Sequence, residues 1–511
     1  MTTAQNVLLI TSDQQHWFTL GCQNPEIKTP HLDRLASMGL LAERAYCPNP
    51  TCTPTRASLI TGVFPSQHGA WSLGTKLPED TLTIGDLIRQ AGGTSTLVGK
   101  AHFQPLASTD EFPSVEAYPT LQNLGFWRDF QGPWYGFDQV ELARNHGDES
   151  HVGQHYMLWM EEKGFDWRPY FNKPTGIKKP NEGEAGKGPS QTWGLPGEMH
   201  MNTWIVDRCL DQMTAMAEDT DHPHFLWASF FDPHPPYLVP EPWASMYDPK
   251  NLTIPELTPG EHINNPLHHR MTQEAGADFS IYKEKDGNGN HGFGCHLRER
   301  DEVEKNMATY YGMISFLDHC VGQLLDQLEK LHLLDSTLVI FTTDHGHFFG
   351  QHGLNAKGAF HYEDMIRVPF LAAKRGTIPE NQRSSAMVSL VDFAPTALSS
   401  LGLPIPREWT GKDQMEVFMG NSPSARDHII VENHHNPTTV HAKTYVDARY
   451  KITVYQKGDE GEIFDLEKDP GEVKNLWKDS ESLTLKTELL LKLQQAEMAK
   501  EPMWMPRIAG A

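Results

Sequence analysis

Asn6-Val7-Leu8-Leu9-Ile10-Thr11-Ser12 is an apolar run that stops abruptly at Asp13 and Gln14. Three more runs have the same shape. Thr94–Val98 ends at Gly99-Lys100-Ala101-His102, Phe225–Phe231 at Asp232-Pro233-His234, and Thr337–Thr343 at Asp344-His345-Gly346. Short continuous apolar runs read as strands covered on both faces, the condition of a parallel sheet. In open α/β sheets, ligands sit beyond the carboxyl ends of the strands. Here Asp, Lys and His gather at those ends, which predicts one sheet with one polar site along its C-terminal edge.

Between the runs the period changes. Thr29-Pro30 opens a helix with Leu32, Leu35 and Met38 at helical spacing and Gly39 as its stop. Leu82–Ala91, Met199–Ala217 and Val303–Leu331 read as further helices, the last with Met307, Tyr310, Ile314, Leu317, Val321 and Leu324 on one stripe. Strands alternating with helices define an α/β fold. Two stretches interrupt it: residues 103–196, rich in Trp, Phe, Tyr, Pro and Gly, and the polar residues 238–300, with GNGNHGFG at 287–294. Both read as binding loops or lids, where substrate identity is set. After Gly420 the style shifts. GNSPSARD reads as a linker, His428–Glu432, Lys443–Asp447 and Tyr450–Tyr455 as antiparallel strands, and Ser482–Met498 as a terminal helix. The expected division is residues 1–422 as the catalytic α/β domain and 423–511 as a small antiparallel-sheet subdomain with a terminal helix and tail.

Composition bounds the function. The 511 residues are 38% apolar and 21% charged, as in soluble globular proteins. Lys plus Arg number 43 against 66 Asp plus Glu, a net charge of −23 that argues against nucleic acid and anionic membranes as partners. It leaves room for a small basic pocket. No apolar run approaches the ~18 residues that span a bilayer. MTTAQ carries neither a basic nor an apolar leader region, so the cytoplasm is the expected compartment. The six cysteines contain no C-x-x-C pair and do not make a disulfide scaffold. The tail MWMPRI at 503–508 predicts a homo-oligomer, because an exposed Trp-Met cluster is costly unless a neighbour covers it.

Pro50-Thr51-Cys52-Thr53-Pro54-Thr55-Arg56-Ala57-Ser58-Leu59-Ile60-Thr61-Gly62 carries the chemistry. Its core is C-x-P-x-R, expected by chance at most ~0.04 times in a chain of this composition. Pro54 suits a first helical turn, which sets Cys52 near a helix N-terminus, where N–H groups and partial positive charge favour an anion. The plain alternative is a buried structural cysteine. The stretch resembles the signature of the type I, formylglycine-dependent sulfatases of the alkaline phosphatase superfamily. The resemblance implies an alkaline-phosphatase-like sandwich, with a large mostly parallel sheet flanked by helices and a small C-terminal antiparallel sheet. It also implies that a formylglycine-generating enzyme oxidises Cys52 to Cα-formylglycine, the nucleophile. A thiolate suits repeated sulfate transfer poorly. An aldehyde hydrate has one hydroxyl to attack sulfur and a second to drive the release of sulfate.

The same resemblance assigns the other residues. Asp13, Gln14, Asp344 and His345, together with residue 52, match the ligands of one divalent metal ion. Oxygen donors dominate, so Ca2+ is the first choice, with Mn2+ or Mg2+ open. Lys100 and His102 match a G-K-x-H element whose Lys meets the sulfate and whose His meets the formylglycine hydroxyl; Gly93 departs from that wider signature. His234 in DPHPPY and Lys357 in AKGAFHYEDMIRVPF match groups that face the sulfate ester and its leaving oxygen. Arg56 is expected to support the formylglycine oxygen and its neighbours. His347 and His352 are expected behind the ligands. Trp127, Trp134, Tyr135 and Phe137 read as packed core before sugar platform, and His222, His224, His434 and His435 lack partners at ligand spacing. The resemblance runs from residue 6 to 370 outside the insertions 103–196 and 238–300, again over 391–402, and through EIFDLEKDPGEVKNL at 462–476. It implies hydrolysis of a small-molecule sulfate ester to an alcohol or phenol plus inorganic sulfate. The rivals are a phosphonate monoester or phosphodiester hydrolase of the same superfamily, against which Lys100 and His102 argue, and a sulfatase-like binding protein without turnover.

Overall fold

The four apolar runs become adjacent strands, as their two-sided burial requires. The computed structural model describes residues 5–144, 152–171, 191–283, 292–434 and 440–510. Among these, nine strands build the main sheet: Asn6–Ser12 (β1), Leu40–Tyr46 (β2), Thr94–Gly99 (β3), Gln139–Leu142 (β4), His224–Ser229 (β5), Thr337–Thr343 (β6), Arg367–Val368 (β7), Phe370–Ala373 (β8) and Gln382–Ser389 (β9). Their order is β7-β2-β8-β6-β1-β5-β3-β4, with β9 alongside β2. The run β6-β1-β5-β3-β4 is parallel. β8 runs antiparallel to both β6 and β2. A second, antiparallel sheet follows: Ile429–Asn433 (β10), Ala442–Val446 (β11), Tyr450–Tyr455 (β12) and Gly461–Asp465 (β13).

Helices cover both faces of the main sheet. Those that matter here are Pro30–Ser37 (α1), Cys52–Thr61 (α2), Met201–Glu218 (α3), Arg300–Lys330 (α4) and, on the small sheet, Leu483–Ala499 (α5). Side chains of β1 alternate between two apolar layers. Val7 and Leu9 join Ile60, Phe393 and Leu398 on the α2 side, while Leu8 and Ile10 join Ile205 of α3 and Leu317 and Val321 of α4. Truncating one such buried leucine costs ~2–5 kcal/mol. α4 starts three residues before the apolar stripe predicts, because Asp301 and Glu302 stabilise its first turn.

One sequence expectation needs correction. Residues 103–196 are not simply a binding loop. Gln139–Leu142 extends the main sheet as β4, and Trp127, Trp134, Tyr135 and Phe137 are buried in the core. The GNSPSARD stretch is irregular and anchored near its end, where Arg426 Nε donates to Asp392 Oδ2 at 2.8 Å and the pair is buried. Among the described residues, no helix is long and apolar enough to cross a membrane.

Candidate active site

Strand register brings the site together. Ser12 pairs with Thr343, so Asp13 and Asp344 emerge side by side from β1 and β6. Gly99 pairs with Ser229, so Lys100 leaves β3 beside them. Gly99 has φ +110°, and a Cβ there would meet Ser229 O at 1.9 Å, so only glycine permits this close turn. α2 supplies the remaining wall. Asn49 Oδ1 accepts from Thr51 N at 2.9 Å and Thr51 Oγ1 at 2.6 Å, while Thr55 Oγ1 donates to Asn49 O at 2.7 Å. These bonds fix the extended Thr51 and make Cys52 the first residue of a wholly buried helix.

Ligand-type atoms of Asp13, Cys52, Asp344 and His345 lie within 4.8 Å of one another, all buried. Cys52 Sγ is 3.3 Å from His345 Nε2 and 3.8 Å from Asp13 Oδ1. Gln14 sits at φ +62° and gives its backbone N–H to Asp344 Oδ1 at 3.0 Å. Burial holds His347 well below its ordinary pKa, so its ring is neutral. Its Nδ1 accepts from Gln14 Nε2 at 2.7 Å, and its Nε2 meets the Tyr237 hydroxyl at 2.8 Å. That chain fixes the amide, and Gln14 Oε1 is left buried without a hydrogen-bond partner. An orphaned amide oxygen is costly unless something cationic or protic meets it. Two carboxylates, this oxygen and a buried imidazole nitrogen fit one hard or borderline divalent cation.

Cations enclose these acceptors. Arg56 is fully buried. Its Nε donates to Asp344 Oδ2 at 2.8 Å, its Nη1 to Lys100 O at 3.0 Å and Ser229 Oγ at 2.7 Å, and its Nη2 lies 3.8 Å from Asp13 Oδ2. Arg56 thus clamps the two carboxylates. Lys100, also fully buried, pairs with Asp13. Lys357 Nζ lies 3.3 Å from Cys52 Sγ and 3.0 Å from His234 Nε2. His102, at φ +61°, is buried two residues past Lys100 and gives its N–H to Glu116 Oε1 at 3.0 Å.

Electrostatics follow from this packing. Burial and Asp13 push the Cys52 thiol up, but Lys100 and Lys357 oppose them, and the net shift is downward. Burial and Asp13 also oppose ionisation of Asp344, yet His345 and Arg56 hold it below the ordinary carboxylate range. His345 is raised: burial disfavours its charge, and Asp344 and Cys52 outweigh burial. A bound cation would reverse that preference, because ligation takes the neutral ring. Behind the site, burial pushes Asp232 up to about 8, with Asp13 adding to the effect.

A cleft of about 460 Å³ opens onto Gln14, His234 and Lys357. Sequence reasoning placed the specificity elements in 238–300 without naming residues; Phe293, Cys295, His296 and Arg298 now line this cleft. Tyr237, Phe348 and Phe349 complete its apolar wall. None of the described residues of 103–196 lines it. His352 lies behind the ligand loop, 2.9 Å from Glu261 Oε1. His222 and His224 are engaged by Asp219 instead. His434 packs against Trp71 and His441, while His435 and residues 287–291 lie outside the described residues.

A family model described as Sulfatase matches residues 5–403, and one described as N-sulphoglucosamine sulphohydrolase, C-terminal, matches 350–499. An arylsulfatase of Clostridium perfringens is 27% identical over 487 residues, covering 92% of this chain and 90% of that protein. The multifunctional alkaline phosphatase superfamily protein PehA of Trinickia caryophylli is 28% identical over 444 residues, covering 83% and 78%. The solved phosphonate monoester hydrolase SpPMH from Silicibacter pomeroyi superposes with a TM-score of 0.76 at 20% identity, over 98% of this chain and 96% of that one.

Proposed function

The chain belongs to the sulfatase family, within the alkaline phosphatase superfamily, and on that premise we propose that Cys52, matured to Cα-formylglycine, is the nucleophile of a sulfate-ester hydrolase. The protein is a sulfuric ester hydrolase, and the family model supports this reading over the phosphonate-hydrolase alternative. The observation that carries the assignment is the setting of residue 52. It starts a buried helix, with His345 Nε2 and Lys357 Nζ each 3.3 Å from Sγ.

The hydrated aldehyde would supply two hydroxyls, one to attack sulfur and one to lose a proton as sulfate departs. A divalent cation held by Asp13, Gln14, Asp344 and His345, with Ca2+ the first choice, would supply Lewis-acid polarisation. Arg56 holds Asp344 and reaches toward Asp13, and Lys100 pairs with Asp13, so the two carboxylates stay aimed at the site. Lys100 also faces the sulfuryl oxygens, where charge builds in transfer. Lys357 and His234 serve the leaving oxygen with a cation and a proton. His102 takes the proton from the second hydroxyl.

The substrate is a small-molecule sulfate ester, and maturation requires a formylglycine-generating enzyme. None of the six cysteines is bridged to another, in keeping with a cytoplasmic protein. Met503, Trp504, Met505 and Ile508 are exposed, which supports a homo-oligomer joined through the tail. The test of the assignment is aryl sulfate turnover by Cys52→Ala. One small side chain changes, the fold is kept, and activity is lost; retained turnover would remove the covalent route.

A further inference from the structure

We propose that Arg298 forms a second oxyanion-binding position in the cleft, so that the favoured esters carry an acidic group on the departing alcohol or phenol. This rests on the sulfate-ester reading above. The first observation is one of charge. The chain holds 66 carboxylate residues, yet no Asp or Glu is among the described residues lining this cleft. Among the described residues, the Lys and Arg that line it are Lys357 and Arg298. Lys357 is buried against Cys52 and serves the reacting ester. Arg298, also in the lining, keeps 27% of its side chain in water.

The second observation concerns spacing. Gly292, at φ +80°, packs so closely that a Cβ there would meet Lys357 O at 2.5 Å. His296 Nε2 meets Gly292 O at 2.6 Å, and its Nδ1 accepts from Asn355 N at 3.0 Å. Asn355 Nδ2 in turn donates to His296 O at 2.7 Å. Arg298 Nη1 donates to Leu297 O at 2.9 Å. The segment carrying Arg298 is thus bolted to the segment carrying Lys357, so both cations are presented to one cleft by joined backbone.

Chemistry completes the case. Phe293, Phe349 and Tyr237 line the space with rings, which suits a flat apolar body and strengthens charge interactions at its ends. A guanidinium matches the planar fork of a carboxylate or the face of a sulfonate better than an ammonium does. The only ion pair that Arg298 makes among the described residues is with Glu302, at 3.6 Å and partly in water, a weak pair that an incoming anion can displace.

The experiment compares kcat/KM for two aryl sulfates differing only at the far ring position, a carboxylate against the neutral carboxamide. It uses the matured wild-type enzyme, Arg298→Met and Arg298→Lys. The wild type should prefer the carboxylate ester. Arg298→Met should lower that preference on the order of 10–100-fold, chiefly through KM, as expected for loss of a charge-assisted hydrogen bond. Arg298→Lys should retain part of it. An equal loss on both esters, or a wild-type preference for the carboxamide, would overturn the proposal. The same pair prepared as phenylphosphonate monoesters separates the two readings. If only the phosphonates turn over, the sulfate assignment fails, and the carboxylate preference among them still decides the role of Arg298.

Discussion

Nζ of Lys357 lies 3.0 Å from Nε2 of His234, whose Nδ1 is held on Pro235 O at 2.6 Å. With Nδ1–H donating to that carbonyl, Nε2 is the acceptor end, and the pair carries a transferable proton beside Cys52. A proton matters most when the leaving group is a poor one. His234→Ala and Lys357→Ala should therefore lose ~10²–10⁴-fold on an alkyl sulfate and far less on an activated aryl sulfate. His102→Ala, acting after the alcohol has left, should lose a similar factor on both. Rates of the three variants on two esters of different leaving-group pKa check this, and equal losses by all three would refute the assigned roles.

The ligand set predicts one divalent cation per chain. Asp344→Asn and Gln14→Ala should each lower bound metal in elemental analysis, with Asp344→Asn the more severe because Arg56 also loses the nearer of its two carboxylates. Breaking a buried ion pair costs ~3–5 kcal/mol, so this variant should also melt earlier. Two metals per chain would contradict the single-cation site and point to two-metal chemistry.

Acid should destabilise the fold through buried neutral histidines outside the ligand set. Burial holds His200, His268 and His361 down to about 3, against an ordinary 6.5. The unfolded chain binds these protons first. Their stabilisation is complete above 6.5 and lost as pH falls toward 3. Each group should remove about 1.4 kcal/mol per pH unit within that window. Urea midpoints at pH 7 and pH 5 test this, and His361→Asn should flatten the dependence.

The C-terminal segment makes a separate prediction. Leu483, Leu491 and Met498 of α5 are exposed, as are Met503, Trp504 and Met505 beyond it. A chain ending at Lys500 should sediment as a smaller species than the full chain at micromolar concentration. A full-length monomer would contradict the covering of the tail by a neighbouring copy.

How legible the molecule was depends on which forces write themselves into sequence. β1, β3, β5 and β6 were readable because burial on both faces demands unbroken apolar runs. β2 was not, because Glu43 and Arg44 interrupt it, and Arg44 reaches out to Asp447 O at 2.7 Å. β9 begins with the partly exposed Gln382-Arg383-Ser384 and so hides its strand character. The ligand pairs stood at strand ends, where topology gathers them. Gln14's support by His347 and Tyr237 links residues far apart in the chain, and no local pattern announces it. The Phe293–Arg298 wall has no periodicity; its membership of the site shows in the contact of Gly292 with Lys357 and the bonds of His296 with Asn355.

The central claim is that Cys52 is matured into the nucleophile, and the mass of the tryptic peptide Ala45–Arg56 tests it most directly. That peptide holds both Cys47 and Cys52, so Cys47 serves as the internal thiol control. From protein co-expressed with a formylglycine-generating enzyme, alkylation should label one thiol, and residue 52 should have exchanged CH2–SH for an aldehyde. Two alkylated thiols throughout a preparation that turns over an aryl sulfate would contradict it.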